Sequence, residues 1–400
     1  MPTKVLDLEY QDLPAEITGL SGYGWAMALL RYKGKPAAKI TLPVHEGMLR
    51  KEELLAAIPQ QTGWGFWKRW LEDFVDYEER FPPVSFAPPA TIAVCTRDRP
   101  DDLKRCLDAL LKLPERGQEI LVVDSASASD MPRRIVESYA GIRYCREEAP
   151  GLNRARNRAL SEAVHEIIAF IDDDAIPDPG WLDALLRNFS QPRVLCVTGL
   201  TMPAELETRA QECFETYNAF SRGFTRKVYD RRDIHPLAAG HVGAGVNMAL
   251  RRNVLEKIGP FDERLDAGTP TRSGGDTEMF SRILAAAYQI VYEPAALNWH
   301  RHRQTWEELR LAIYGYGVGV YAFWTQKFLE GQEYSVPYFA LEWFFVEQFP
   351  NLVRALFRLP GHRPLRLILA ELGGCIAGPK AFLRSRTSRK APMPVRASTQ

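Results

Sequence analysis

Three aspartates in succession, Asp172-Asp173-Asp174, follow the apolar run Ile167-Ile168-Ala169-Phe170-Ile171. A short apolar run bounded by polar residues predicts a strand buried on both faces. The segment beyond, Ala175-Ile176-Pro177-Asp178-Pro179-Gly180, holds two prolines and a glycine and predicts a turn. The acids therefore stand at the carboxyl end of a central strand, where open α/β sheets bind ligands. Side-chain alternation would put Asp172 and Asp174 on one side and Asp173 on the other. Adjacent carboxylates repel, and a cation relieves that repulsion. All-oxygen donors suit Mg²⁺ or Mn²⁺, with a substrate phosphate completing the shell. For an isolated acidic run, a solvated turn is the competing interpretation.

Other polar groups fall at matching places. Thr96-Arg97-Asp98 follows a predicted strand over 91–95, and Asp124 ends another over 119–123. Arg154, Arg156, Asn157 and Arg158 lie on a predicted helix over 151–163. A carboxylate that accepts from an imide N–H can read a uracil-type base, and arginine pairs with carboxylate or phosphate. Taken alone, Asp124 reads equally as a cap and the arginines as a solvated face. Gly274-Gly275-Asp276-Thr277-Glu278 precedes an apolar-periodic helix. Its dipole favours the two carboxylates, so capping alone accounts for them. Gly243 and Gly245 predict a bend that carries Asn247 to the sheet. Trp299-His300-Arg301-His302-Arg303 supplies imidazoles that suit a metal, or forms a polar turn.

These groups need a scaffold, and the pattern from Ala90 supplies one. Strands over 91–95, 119–123, 142–145, 167–171 and 194–198 alternate with helices over 101–111, 151–163 and 179–189. That alternation predicts an α/β fold with parallel strands and helices on both faces. The segment after the first strand is Thr96-Arg97-Asp98-Arg99-Pro100 rather than GxGxxG, which argues against a nicotinamide dehydrogenase. Residues 1–88 read as a small α+β accessory module. It has a hairpin turning at Tyr32-Lys33-Gly34-Lys35-Pro36, helices over 51–58 and 64–77, and a proline-rich linker at Phe81-Pro82-Pro83-Val84. The sheet domain takes 89–304, and 305–400 reads as a helical extension with a basic tail.

Of 400 residues, 46% are hydrophobic and 25% charged, and net charge is +1. This is ordinary globular composition with no global bias towards nucleic acid. Six cysteines show no CxxC, which argues against a zinc site or disulfide framework. The N-terminus has no apolar leader core and no segment reads as a membrane span. The expected compartment is the cytoplasm.

The stretches IAVCTRDRPDDLKRCLDALL, ILVVDSAS, GLNRARNRAL, IIAFIDDDAIPDPGWL, GAGVNMALRRNVLEKIGPFDERL and GGDTEMFSRIL together resemble the family 2 glycosyltransferases, which are inverting enzymes of the GT-A fold. The resemblance covers roughly Pro89 to Arg303. It implies a mixed, Rossmann-like sheet that binds a nucleotide sugar, most simply a UDP-sugar, with Mn²⁺ or Mg²⁺. It implies that Thr96, Arg97, Asp98, Asp124, Arg156, Asp172 and Asp173 serve the nucleotide-sugar. Asp172 and Asp174 would be the DxD pair, with Asp174 the direct metal ligand. His300, with His302 behind it, would complete the metal set, and Gly245 and Asn247 would lie on the acceptor side. Asp276 matches the family's catalytic base, with Glu278 as second choice. The family often has a glutamate before that aspartate, and this chain has Gly275 there. The acceptor would be a hydroxyl of a glycan or lipid. A nucleotidyltransferase shares the sheet and the acidic site, and an inactive nucleotide-sugar-binding scaffold is the non-enzyme alternative.

Residues 311–326 carry no charge and several aromatics, and 351–400 hold ten Lys or Arg against one acid, Glu371. Aromatics beside basic residues suit a peripheral contact with the inner face of the cell membrane. A helical cover with a disordered basic end is the other reading. No nucleic-acid recognition motif accompanies the basic tail.

Overall fold

The computed structural model describes residues 2–75, 88–218 and 220–387. The expected linker at Phe81-Pro82-Pro83-Val84, the last turn of the expected helix to residue 77 and the end of the basic tail lie outside the described residues. The chain forms two compact units. The first takes Met1–Phe261 and Asp276–Leu311, and the second takes Asp262–Gly275 and the chain from Ala312.

In the first unit, strands β1 (Thr3–Glu9), β2 (Trp25–Tyr32) and β3 (Lys35–Pro43) form a small sheet in the order β1-β2-β3. β2 and β3 make the expected hairpin. It closes through Lys33 and Gly34 at φ 50° and 75°. Two successive left-handed residues match the right-handed twist of the strands they join. Alternation along β2 buries both faces. Ala26, Ala28 and Leu30 pack with Leu54, Ile58 and Phe66 of helices Lys51–Gln61 and Trp64–Phe74. Met27 and Leu29 face the other way and pack on Leu200, Met202 and Leu297 of the larger sheet. The N-terminal module therefore shares an apolar core with the sheet that carries the site.

That larger sheet contains β4 (Ala90–Thr96), β5 (Glu119–Ser125), β6 (Ile142–Glu147), β7 (Ile167–Asp172), β8 (Ala175–Pro177), β9 (Val194–Pro203), β10 (Lys227–Tyr229), β11 (Asn247–Arg251) and β12 (Gln289–His300). The order is β8-β12-β9-β11-β7-β4-β5-β6, with β10 paired to β12. From β7 to β6 all pairings are parallel, as the strand–helix alternation predicts. β11 departs from that expectation. It lies between β7 and β9 and runs antiparallel to both, so the sheet is mixed. The chain makes a long excursion after β9 and returns in the opposite direction, which no local periodicity encodes. Ile168 and Phe170 bury on one face with Leu160 and Phe280, and Ile167, Ala169 and Ile171 on the other with Trp181 and Leu185. Full burial of each such aliphatic chain contributes about 1.5–3 kcal/mol. This explains the near-continuous apolar run in front of the aspartates.

The second unit is helical, with residues 312–329 of helix Trp306–Leu329 and helices Val336–Trp343, Phe349–Leu356 and Leu365–Thr387. Helix Leu365–Thr387 lies against residues 312–329 through glycines. A Cβ on Gly317 would collide with the Glu371 carbonyl, and one on Gly374 with the Tyr314 carbonyl. Leu265, Ala322 and Phe382 form a buried cluster, with the Arg264 guanidinium 5.2 Å from the Phe382 ring centre. Among the described residues, no helix is long and apolar enough to cross a membrane.

Candidate functional site

The aspartates lie where β7 runs out. Asp172 is the last strand residue, and Asp173 and Asp174 form the turn into β8. The turn ends the strand's alternation, so Asp173 does not point away from Asp174 as expected. One Arg99 nitrogen, Nη1, donates to both, at 3.1 Å to Asp173 Oδ1 and 2.9 Å to Asp174 Oδ2. Thr96 Oγ1, from the end of β4, donates to Asp173 Oδ2 at 2.7 Å. The antiparallel pairing of β8 with β12 places Ala175 opposite His300. This register brings His300 Nε2 to 3.1 Å from Asp174 Oδ1.

That contact lacks the alignment of a hydrogen bond, and Asp174 Oδ1 is buried without a hydrogen-bond partner. Asp172, Asp174 and His300 each offer a ligand atom, all within 4.8 Å of one another. An orphaned carboxylate oxygen beside a second carboxylate and an imidazole nitrogen is a donor set that fits a divalent cation. The electrostatics agree. Burial, then the Asp174 charge, pushes the Asp172 and Asp173 carboxyls up. For Asp174 burial is outweighed by His300, Arg99 and Arg303, which hold it well below the usual carboxylate range.

The second carboxylate centre begins the helix Gly275–Ala285. Asp276 Oδ2 accepts from the Gly245 N–H at 2.7 Å, and Oδ1 from the Thr277 N–H at 2.7 Å. Gly243, at φ 152°, has no room for a Cβ against Thr198, and this tight bend delivers Gly245 to Asp276. A Cβ on Gly245 would come within 2.6 Å of Arg156 Nη2 and 3.0 Å of Asp276 Oδ2. Arg156 is buried, stacks 5.5 Å from the Phe261 ring centre, and its field also reaches Asp172. It stands between the two carboxylate centres.

Residues 91–259 match the family model described as "Glycosyl transferase family 2". This segment is a family 2 glycosyltransferase domain. The pre-mycofactocin glycosyltransferase of Mycobacterium tuberculosis is 27% identical to the chain over 232 residues, 56% of this chain and 46% of that protein. Glycosyltransferase AglE of Haloferax volcanii is 25% identical over 236 residues, 57% of this chain and 71% of its own length. The chain thus spans about half the length of the mycobacterial relative. A mannosyltransferase from Pyrobaculum calidifontis, solved with GDP-Man and Mn²⁺, superposes with a TM-score of 0.46 at 17% identity over 80% of each chain. The mixed sheet with helices on both faces is the GT-A arrangement expected of a family 2 domain.

Several expected site residues are engaged by the protein itself. Asp124 is fully buried, with Oδ1 accepting from the Ser127 N–H and Oδ2 from the Tyr144 hydroxyl and Arg146 Nη1. A carboxylate offers about four acceptor positions, so about one remains for a base. Asp98 Oδ1 accepts from the Ala128 N–H at 2.7 Å, and Arg97 lies exposed at 3.5 Å from Asp98 Oδ2. Asn247, expected on the acceptor side, instead sits fully buried in the sheet interior. It accepts from Trp181 Nε1 and donates to the Leu200 and Ala296 carbonyls, so it ties β11 to its neighbours. Glu278 is buried as well, and both its oxygens accept from Arg282 Nε, at 2.8 and 2.9 Å. Arg282 also donates to the Ile258 and Pro260 carbonyls, so this pair fastens the helix to the loop before it.

Sequence reasoning missed Arg99, which bridges Asp173 and Asp174. Its only linear signal was its position in TRDRP. It also missed Arg222, which burial holds below the ordinary guanidinium range and whose field reaches Asp276. Arg301 pairs with Asp102, whereas Arg303 Nη1 lies 3.6 Å from Asp174 Oδ2.

Proposed function

We propose that the protein transfers a glycosyl group from a nucleoside-diphosphate sugar, a UDP-sugar in the first instance, to an acceptor hydroxyl with inversion. The observation that carries this reading is the pairing of two carboxylate centres, one inside the family 2 segment and one just beyond its end. One is crowded and complete enough to hold a cation, and the other is a single Asp276 carboxylate at a helix start. Both glycosyltransferase relatives support it.

Asp172, Asp174 and His300 are the residues that would hold Mn²⁺ or Mg²⁺. When bound, the ion supplies charge stabilisation to the diphosphate leaving group. The protein's own groups do the rest. Arg99 and Arg303 add positive charge beside Asp174, where the diphosphate collects its negative charge. Asp276 takes the proton from the acceptor hydroxyl as that oxygen attacks the anomeric carbon. The bond from that carbon to the diphosphate oxygen breaks on the opposite face, so one displacement inverts the centre. The Gly245 and Thr277 N–H groups fix the Asp276 carboxylate for this role. Asp124 and Thr96 belong to the nucleoside side, Asp124 as a base acceptor and Thr96 through its grip on Asp173.

A thermal-shift panel of UDP, GDP, dTDP and CDP, each with Mn²⁺, Mg²⁺ or EDTA, tests the donor side. One nucleotide that stabilises the protein only with metal supports the transferase and names the donor class. No shift with any pair favours the inactive scaffold, and nucleotide incorporation without sugar transfer favours the nucleotidyltransferase.

A second proposal concerns the second unit. Tyr338, Leu341, Phe345, Val346, Leu356 and Phe357 are exposed there, with Arg354 and Arg358 among them. Apolar side chains beside cations suit the interface of an anionic bilayer. We therefore propose peripheral membrane contact and a lipid-linked acceptor, read by cosedimentation with anionic against neutral vesicles.

A further inference from the structure

Behind His300 runs a line of polar side chains that ends outside the family 2 domain. His300 Nδ1 lies 3.0 Å from His302 Nδ1. His302 Nε2 lies 3.3 Å from Glu215 Oε2, on helix Arg209–Asn218. The other oxygen, Glu215 Oε1, accepts from Lys39 Nζ at 2.7 Å, and Lys39 belongs to β3 of the N-terminal module. His302, Glu215 and His300 have side chains only 1%, 8% and 9% exposed. Phe214 and Phe220 enclose the two imidazoles, with ring centres 4.5 Å from His302 and 5.2 Å from His300 respectively.

The direction of the protons along this line follows from donor and acceptor chemistry. An ionised carboxylate only accepts, so Glu215 requires the N–H of His302 to be on Nε2. A neutral imidazole carries one N–H, which leaves His302 Nδ1 as an acceptor. A nitrogen–nitrogen contact of 3.0 Å holds one hydrogen, so His300 must supply it from Nδ1. The lone pair of His300 then sits on Nε2, the nitrogen that approaches Asp174 Oδ1. That oxygen lies 3.1 Å away, yet receives no hydrogen bond. An unprotonated nitrogen beside an orphaned carboxylate oxygen in a buried site is the arrangement a cation would resolve. Lys39 already neutralises Glu215 from the other side, so no imidazolium is needed at His302 to balance it.

We infer that Lys39, Glu215 and His302 are positioning residues that fix the tautomer of His300, and that the N-terminal module thereby prepares the metal site formed by Asp172, Asp174 and His300. This rests on the reading of His300 as a metal ligand. It gives the N-terminal module a role in the chemistry although it holds no catalytic group.

The test uses the full chain with Mn²⁺ alone as the probe. Long-range ¹H–¹⁵N spectra of the imidazoles are recorded at about pH 8, above the ordinary histidine pKa of about 6.5. The wild type should show the proton of His300 on Nδ1. Glu215→Leu should lose that single tautomer and weaken Mn²⁺ binding, followed by the paramagnetic signal of the free ion, by roughly 10- to 100-fold. Lys39→Met should shift both readouts in the same direction and by less. Glu215→Gln, whose Oε1 accepts the same bond, should restore the tautomer and most of the affinity, which a merely structural role would not predict. A wild-type His300 protonated on Nε2 overturns the inference. So does unchanged tautomer and affinity in Glu215→Leu or, if that variant does not fold, in Lys39→Met. A wild type with the expected tautomer but no Mn²⁺ binding defeats the metal reading itself, whereas Mn²⁺ binding that no variant disturbs defeats the relay alone.

Discussion

Where β7 ends, three carboxylates crowd together with an imidazole, and two of their acids are pushed towards the neutral form. Where helix Gly275–Ala285 begins, Asp276 stands among backbone N–H groups and buried guanidinium groups, with its like-charged neighbour Glu278 already neutralised by Arg282. The same residue type is used at both ends with opposite intent. Crowding makes a donor set that fits a cation. Isolation leaves a carboxylate that can take a proton without a competing acid beside it. The spacing of acids in the sequence does not show this difference, because Asp276-Thr277-Glu278 and Asp172-Asp173-Asp174 both read as acidic runs. The partners decide it.

The largest effect should come from breaking the crowded end. Asp174→Ala removes the orphaned oxygen and should abolish the metal-dependent part of nucleotide stabilisation. That part amounts to about 2.7 kcal/mol when a ligand is at 100 times its dissociation constant. Thermal melts with UDP and Mn²⁺, against UDP and EDTA, measure it, and a variant with undiminished metal dependence would move the metal elsewhere. Next, Asp276→Asn should slow sugar transfer by about 10²–10⁴-fold. Nucleotide binding should be unchanged, as seen by comparing turnover with calorimetric titration; full transfer in this variant removes Asp276 as the base. Glu278→Gln sharpens the contrast from the other side. It should lower stability by about 1–3 kcal/mol in urea unfolding, with little change in transfer per folded molecule. The smallest effect is expected at Tyr144→Phe. Losing one hydrogen bond to Asp124 should cost about 1 kcal/mol, and the freed acceptor position should alter uridine affinity more than Mn²⁺ affinity.

Much of the donor half was legible in the chain because it is local. Each of β4, β5 and β7 is an apolar run that ends in a polar group, and each boundary from β4 to β7 lies within a few residues of its expected place. The Lys33-Gly34 hairpin was legible for the same reason, since the turn chemistry sits in adjacent residues. What could not be read depends on distant pairings. β11 looked like a bend at the sheet margin because nothing in Asn247–Arg251 announces two antiparallel neighbours. Asn247 looked available because its partners, Trp181, Leu200 and Ala296, come from three other segments. Glu215 and Lys39 had no signal at all, since each is an ordinary charged residue in an amphipathic element until the fold brings them together.

The place of β11 in the sheet also sets an order on how the protein comes into being. Domains generally form from the N-terminus as the chain emerges, at about 5–20 residues per second. β4 to β7 can pair as soon as they are made, since each finds its parallel neighbour among residues already synthesised. β7 must then wait with one edge open until residues 247–251 arrive to cover it. His300 comes later still. A nascent chain therefore passes through a stage with an exposed strand edge beside three carboxylates that still lack His300, the kind of edge on which chains can pair with one another. Charge at the end of that edge opposes such pairing, so the carboxylates proposed to hold a cation in the finished protein also guard its unfinished form against aggregation.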